Sequence, residues 1–101
     1  MRIEWSAWAV EDRDEVFRHI EADSPKTAAS VDSRIESQVE LLGRFPELGR
    51  PGRIENTREL VVPRTPFILA YRVEENSVLI LRILRGAREW PKKLSGEKPQ
   101  D

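Results

Sequence analysis

The 101-residue sequence predicts a strand, two helices and then three strands, an α+β fold with one small antiparallel sheet. Two periodicities carry that class: an apolar stripe at helical spacing from Ala28 to Leu42, and a change to period two after Thr57. Between them lies a turn-rich stretch, Phe45 to Gly52, holding two prolines and two glycines.

Arg2-Ile3-Glu4-Trp5 alternates polar and apolar residues, which predicts a short strand with Ile3 and Trp5 on one face. Ser6 then offers a hydroxyl that can cap a helix over Ala7 to Ala22. Its apolar stripe is Val10, Phe17 and Ile20, widened by Ala9 and Val16, and its acids Glu11, Asp12, Asp14 and Glu15 lie toward the end that the helix dipole favours. Ser24-Pro25 starts a second helix, because serine satisfies orphan N–H groups and proline at the first position has none to lose. Ala28, Val31, Ile35, Val39 and Leu42 form its buried stripe, and it ends near Gly43. These helices form a hairpin.

Arg58 to Val62 reads as a strand stopped by Pro63, Phe67 to Val73 as the next, and Val78 to Leu84 as the last, with Glu74 to Ser77 as the turn of a three-stranded meander. With Val73 opposite Val78, one face carries Phe67, Leu69, Tyr71, Val73, Val78, Ile80, Arg82 and Leu84, and the other carries Ile68, Ala70, Arg72, Leu79, Leu81, Ile83 and Arg85. Both faces are mainly apolar. Two helices cover one face, so the second is expected to meet a partner rather than the tail. Residues 1–91 are expected to form a single domain, and 92–101, rich in lysine and proline, a flexible C-terminal tail.

A chain without cysteine has no disulfide framework, no thiolate metal site and no cysteine nucleophile, which suits a reducing cytoplasm. One histidine, His19, cannot supply the usual zinc ligand sets, so no metal and no cofactor are expected. No stretch of 18 apolar residues would span a bilayer, and the start lacks the apolar core of a secretory signal, so no membrane role is expected. Nucleophile elbows and phosphate-cradling glycine loops are absent from the sequence.

The net charge of −1 conceals two unlike halves: 6 basic against 11 acidic residues up to position 49, and 11 against 7 after it. Thirteen of the 17 basic residues are arginine, the side chain that binds planar anions bidentately. Arg58, Arg64, Arg72, Arg82, Arg85 and Arg88 fall on or just after the predicted strands, with Glu59, Tyr71, Glu89 and Trp90 among them. Two readings of this set stand. It is a phosphate-holding cluster with Glu, Lys or Tyr as acid and base, or a set of arginines that solvate strands and pair with the acidic helices. Arg82, if buried, must be paired.

Four blocks in order, FPELGRPGR at 45–53, TRELVV at 57–62, AYRV at 70–73 and ILRILRGAREWP at 80–91, together with SPKTAA at 24–29, resemble the RelE/ParE superfamily of bacterial type II toxins, nearest the ParE-like branch. The resemblance implies a toxin held inactive by a cognate antitoxin whose flexible arm wraps its helices and sheet, with promoter DNA bound only through the antitoxin. Its branches imply different targets. RelE-like members cut messenger RNA on the ribosome with a basic cluster on the sheet, and ParE-like members poison DNA gyrase without one. Placed on the nuclease pattern, this sequence has Glu59, Val61 and Ile68 where basic residues are expected, and only Arg88 keeps its charge. Trp90-Pro91 stands where a tyrosine would follow, and Arg85 stands where many ParE-like relatives carry histidine.

The leading expectation is therefore a gyrase inhibitor that blocks replication and growth. Its target or antitoxin surface is expected at Arg58, Arg72, Arg82, Arg85, Arg88 and Trp90. The alternatives are a ribosome-dependent messenger RNA endonuclease using Arg88 as its one catalytic candidate, and an inactive toxin fold that titrates antitoxin.

Overall fold

The computed structural model describes residues 1–86 and 90–91. In chain order it contains β1 (Arg2–Trp5), α1 (Ala7–Glu21), α2 (Pro25–Arg44), β2 (Arg50–Pro51), β3 (Arg58–Val61), β4 (Phe67–Val73) and β5 (Ser77–Arg85). Both helices start at the expected serines. The Ser6 hydroxyl accepts from the Ala9 N–H at 3.0 Å and the Ser24 hydroxyl from the Thr27 N–H at 3.1 Å.

The expected α+β class stands, but the sheet is larger than the meander. Five strands lie in the order β1-β5-β4-β3-β2. β1 joins the free edge of β5 in parallel, with Trp5 beside Ile80, and the two-residue β2 joins β3 from within the turn-rich stretch. The two helices cover one face, where Ile35, Val39 and Leu42 of α2 meet Phe67, Leu69, Tyr71, Val78, Ile80 and Ile83.

The α1 stripe differs from the expected one. Ala9 and Asp12 are buried and Val16 and Ile20 pack on the core, whereas Val10 is 55% exposed. The inward line is 9, 12, 16 and 20, a helical spacing with an acid in it. Arg13 on the same helix donates to Asp32 at 2.7 and 3.1 Å and pairs with Glu36 at 2.8 Å, clasping α1 to α2.

The expected pairing of Val73 with Val78 is present and continues to Tyr71, beyond which the register shifts by one residue. Tyr71 lies opposite Ile80 and Ala70 opposite Arg82, so Leu81 is an extra residue in β5. This bulge exchanges the faces beyond it: Ile83 joins the helix-covered core, and Arg82 and Leu84 turn to the other face. The expected placement of Arg82 and Leu84 beside Tyr71, and of Arg85 on the opposite face, is corrected accordingly.

β1 pairs with only residues 77–80 of β5, which leaves the next part of that edge to be closed by other groups. The Ser6 hydroxyl donates to the Leu81 carbonyl at 2.8 Å, and the Asp12 carboxylate accepts from the Ile83 N–H at 2.9 Å. Arg82 reaches over the edge and forks the same carboxylate at 2.7 and 3.0 Å, its guanidinium 4.4 Å from the centre of the Trp8 ring.

Part of the outer face is covered by the chain itself: Ile68 and Ala70 are 7% and 0% exposed. The segment after β2 folds back to Glu59 and Trp90 lies against it, so part of the cover is local. Val61, at the β3 end of this face, stays exposed. The expected flexible tail, 92–101, lies outside the described residues.

Removing one partner of a largely buried ion pair costs about 3 kcal/mol or more, and an orphaned backbone N–H adds to it. Asp12→Ala should therefore destabilise the chain by about 3 kcal/mol. Arg82→Met breaks the same pair but leaves Asp12 its bond to Ile83, so it should cost less than Asp12→Ala by the share of that N–H, about 1 kcal/mol. Urea midpoints at constant slope check the order, and equal losses would remove Asp12 from this role.

Candidate functional site

Tyr71 stands at the centre of β4 on the helix-covered face and is fully buried. Its hydroxyl donates to the Pro46 carbonyl at 2.7 Å and accepts from the Gly49 N–H at 2.8 Å. Burial pushes its pKa up, against the opposing effect of the Gly49 hydrogen bond. Gly49 has to be glycine here, because a Cβ would lie 2.6 Å from the tyrosine oxygen. Arg58 donates to the carbonyl of the same glycine at 2.7 Å. The tyrosine fastens the loop that leads into β2 and holds no proton ready for exchange with a ligand.

Glu59, next to Arg58 on β3, faces the other way and is 4% exposed. It accepts from the Arg53 backbone N–H at 2.8 Å, from the Arg53 side chain at 3.2 Å and from Arg50 at 3.2 Å. Burial alone would raise its pKa. The hydrogen bonds from Arg53 and Arg50 outweigh that, and the carboxyl sits below its ordinary value. Arg53 in turn lies 3.5 Å from the centre of the Trp90 ring, whose indole N–H donates to the Gly86 carbonyl. These four residues form one layer on the outer face. Arg82, expected to need a partner if buried, pairs with Asp12; Arg50 and Arg53 went unselected because they stand in a stretch with no period to read.

Among the described residues, the expected surface residues Arg58, Arg72, Arg82, Arg85 and Trp90 do not form one cluster. Arg58 and Arg72 line a hollow with Pro51, Thr57 and Val73 at one end of the sheet, where Arg72 also pairs with Glu74 at 3.1 Å. Arg82 closes the β5 edge, and Trp90 belongs to the outer layer. Arg85 lies opposite Phe67, at the far end of β4 from Arg72. Arg88 lies outside the described residues.

Pairing separates these arginines further. Arg2, Arg13, Arg18, Arg50, Arg53, Arg72 and Arg82 each meet a carboxylate. Arg64 and Arg85 make no ion pair among the described residues. Both line a cleft of about 480 Å³ between the end of α1, the start of α2 and the β3–β4 turn, with Ile20, Val31, Pro66 and Phe67 as its apolar part.

The model of the ParE toxin of type II toxin-antitoxin systems, parDE, matches residues 3–90, from β1 through Trp90. The chain belongs to the ParE toxin family. A relative in Sinorhizobium fredii, named "Putative toxin Y4kP", is 42% identical over 93 residues, covering 92% of this chain and 96% of the relative. Among solved structures, a chain of the chromosomal ParDE system of P. aeruginosa superposes with a TM-score of 0.76 at 30% identity, covering 85% of this chain and 96% of that one. The resemblance first seen in the sequence blocks is thus a family membership, and this ParE toxin carries its match across both the Tyr71 tether and the Glu59 layer.

Replacing Tyr71 with Phe removes both bonds and leaves a buried carbonyl and N–H unpaired, at a cost of about 1–3 kcal/mol. The loss should show in the thermal midpoint, and an unchanged midpoint would mean that the 46–49 loop is held by other contacts.

Glu59 has a folded pKa below its unfolded one, so its contribution is fully present above the unfolded value near 4.5 and disappears as pH falls through the folded value. Glu59→Gln should lose about 2 kcal/mol at pH 7. The gap between the two proteins should narrow as the pH is lowered from 5 toward 3, and a constant gap would show that the charge does not matter.

Proposed function

We propose that this ParE toxin acts by binding DNA gyrase, blocking replication and growth in the cytoplasm, and that a cognate antitoxin holds it inactive. One observation carries the choice of target. Where a nuclease of the RelE-like pattern needs cations on the sheet, this chain has Glu59 neutralised by Arg50 and Arg53, exposed Val61 and buried Ile68.

Cleaving a phosphodiester builds negative charge that must meet donors already aimed at it, and removing such donors costs orders of magnitude in rate. Tyr71, the one tyrosine, has its hydroxyl engaged as donor and acceptor inside the fold. Among the described residues this sheet is built to bind a macromolecule, not to cut one. Arg58 and Arg72 at one end, with Trp90 on the outer layer, are the groups proposed to meet the target, and Arg88 completes the set from outside the described residues. A net charge of −1, with acid concentrated before position 50, leaves promoter contacts to the antitoxin.

Purified toxin should halt supercoiling by DNA gyrase, and antitoxin should restore it, while transcripts in a translating extract stay whole. Unimpaired supercoiling together with codon-positioned cuts would replace this reading with the endonuclease. Harmless expression without antitoxin would replace it with an inactive, antitoxin-titrating fold.

A further inference from the structure

Arg64 and Arg85 are exposed, carry no carboxylate partner among the described residues, and line the same apolar cleft, whereas seven other arginines are paired. Their backbone is fixed. Arg64 has φ at +64°, a conformation that glycine adopts more readily, in a turn closed by Val62 N–H to Phe67 at 3.0 Å and by the Thr65 N–H and hydroxyl to Val62 at 3.2 and 2.9 Å. The Gly86 N–H, next to Arg85, bonds the Pro66 carbonyl of that turn at 2.9 Å. Two guanidinium groups therefore stand on braced backbone at the rim of a hollow whose apolar part is Ile20, Val31, Pro66 and Phe67.

We propose that this cleft receives an acidic segment of the antitoxin, whose carboxylates fork Arg64 and Arg85 while an apolar side chain fills the hollow. The inference rests on the reading that a cognate antitoxin captures this chain. Charge complementarity favours a peptide: guanidinium matches carboxylate in a bidentate fork, and a hollow with so much apolar surface suits a side chain better than a sugar-phosphate backbone. A nucleic acid would need a longer basic track than two arginines and His19.

The test is titration of labelled full-length antitoxin against three forms of the full chain: wild type, Arg64→Glu with Arg85→Glu, and Arg34→Glu with Arg44→Glu. The last pair lies on α2 and changes net charge by the same amount, so it reports long-range attraction alone. Two charge-assisted contacts at about tenfold each predict a loss of about 100-fold for the cleft variant. The α2 variant should lose less than about threefold at 0.15 M salt, where screening is strong. Arg64→Gln with Arg85→Gln should fall between, and it carries the test if charge reversal disturbs folding. Equal losses for the two reversed pairs would overturn the site, as would unchanged antitoxin affinity with loss of binding to a single-stranded 20-nucleotide probe. Wild type that fails to bind antitoxin at all would overturn the antitoxin reading first, and this site with it.

Discussion

The Asp12 carboxylate decides where the helical layer sits. A four-residue β1 cannot close a nine-residue β5, and an unpaired strand edge is both costly when buried and open to other chains when exposed. Asp12 accepts the Ile83 N–H on that edge and forks Arg82 beside it, so one turn of α1 stands in for the strand that β1 does not supply. With α1 fixed there, Arg13 on its next position reaches Asp32 and Glu36 and sets α2 over the sheet. The apolar stripe of α2 can then meet β4 and β5. A polar contact thus positions the surfaces whose burial supplies most of the stability.

At the opposite edge two side chains from neighbouring strands hold one loop from two faces. Tyr71 takes Pro46 and Gly49 on the helix side, and Glu59 takes Arg50 and Arg53 on the outer side. Between those holds Arg50 and Pro51 pair with β3 as a short edge strand. Pro51 offers no N–H, which makes a poor template for a further strand. The close approach at Gly52, where a Cβ would fall 2.3 Å from the Thr57 hydroxyl, belongs to the same closure. A stretch with almost no apolar periodicity is ordered by hydrogen bonds to buried groups, in a chain too small to order it by core volume.

This division explains what could be read in the sequence. Both helices and the strand at Phe67 to Val73 lie where their spacing and caps place them, because burial of one face and orphan N–H groups act locally. The inward line of α1 was hidden by Asp12, since an acid at an inward position breaks the apolar pattern and only its distant partners justify it. The Leu81 bulge was hidden too: Leu81, Ile83 and Leu84 are alike in propensity, and only the pairing with β4 tells which of them turns inward. β2 carries no period at all. For the candidate site, Arg82 was recognisable as a residue that needs a partner, but neither Asp12 nor the Arg50 and Arg53 partners of Glu59 could be chosen from order along the chain. The family itself was legible from blocks that fall, among the described residues, on the start of α2, the loop into β2 and the strands β3, β4 and β5.

The arginine excess after position 50 has two physical uses, and separating them narrows where this toxin can meet other molecules. Arg50, Arg53 and Arg82 satisfy carboxylates that the fold places against them, so a ligand would have to displace an internal partner to recruit them. A guanidinium already bonded to a carboxylate gains little by exchanging one anion for another. Arg64 and Arg85 face no such exchange, because no carboxylate of the described chain lies against them. Recognition by charge should therefore concentrate at the rim of their cleft, while surfaces whose arginines are paired recognise a partner chiefly by shape and apolar contact. On the outer layer that contact falls to Trp90, stacked on Arg53, and to exposed Val61.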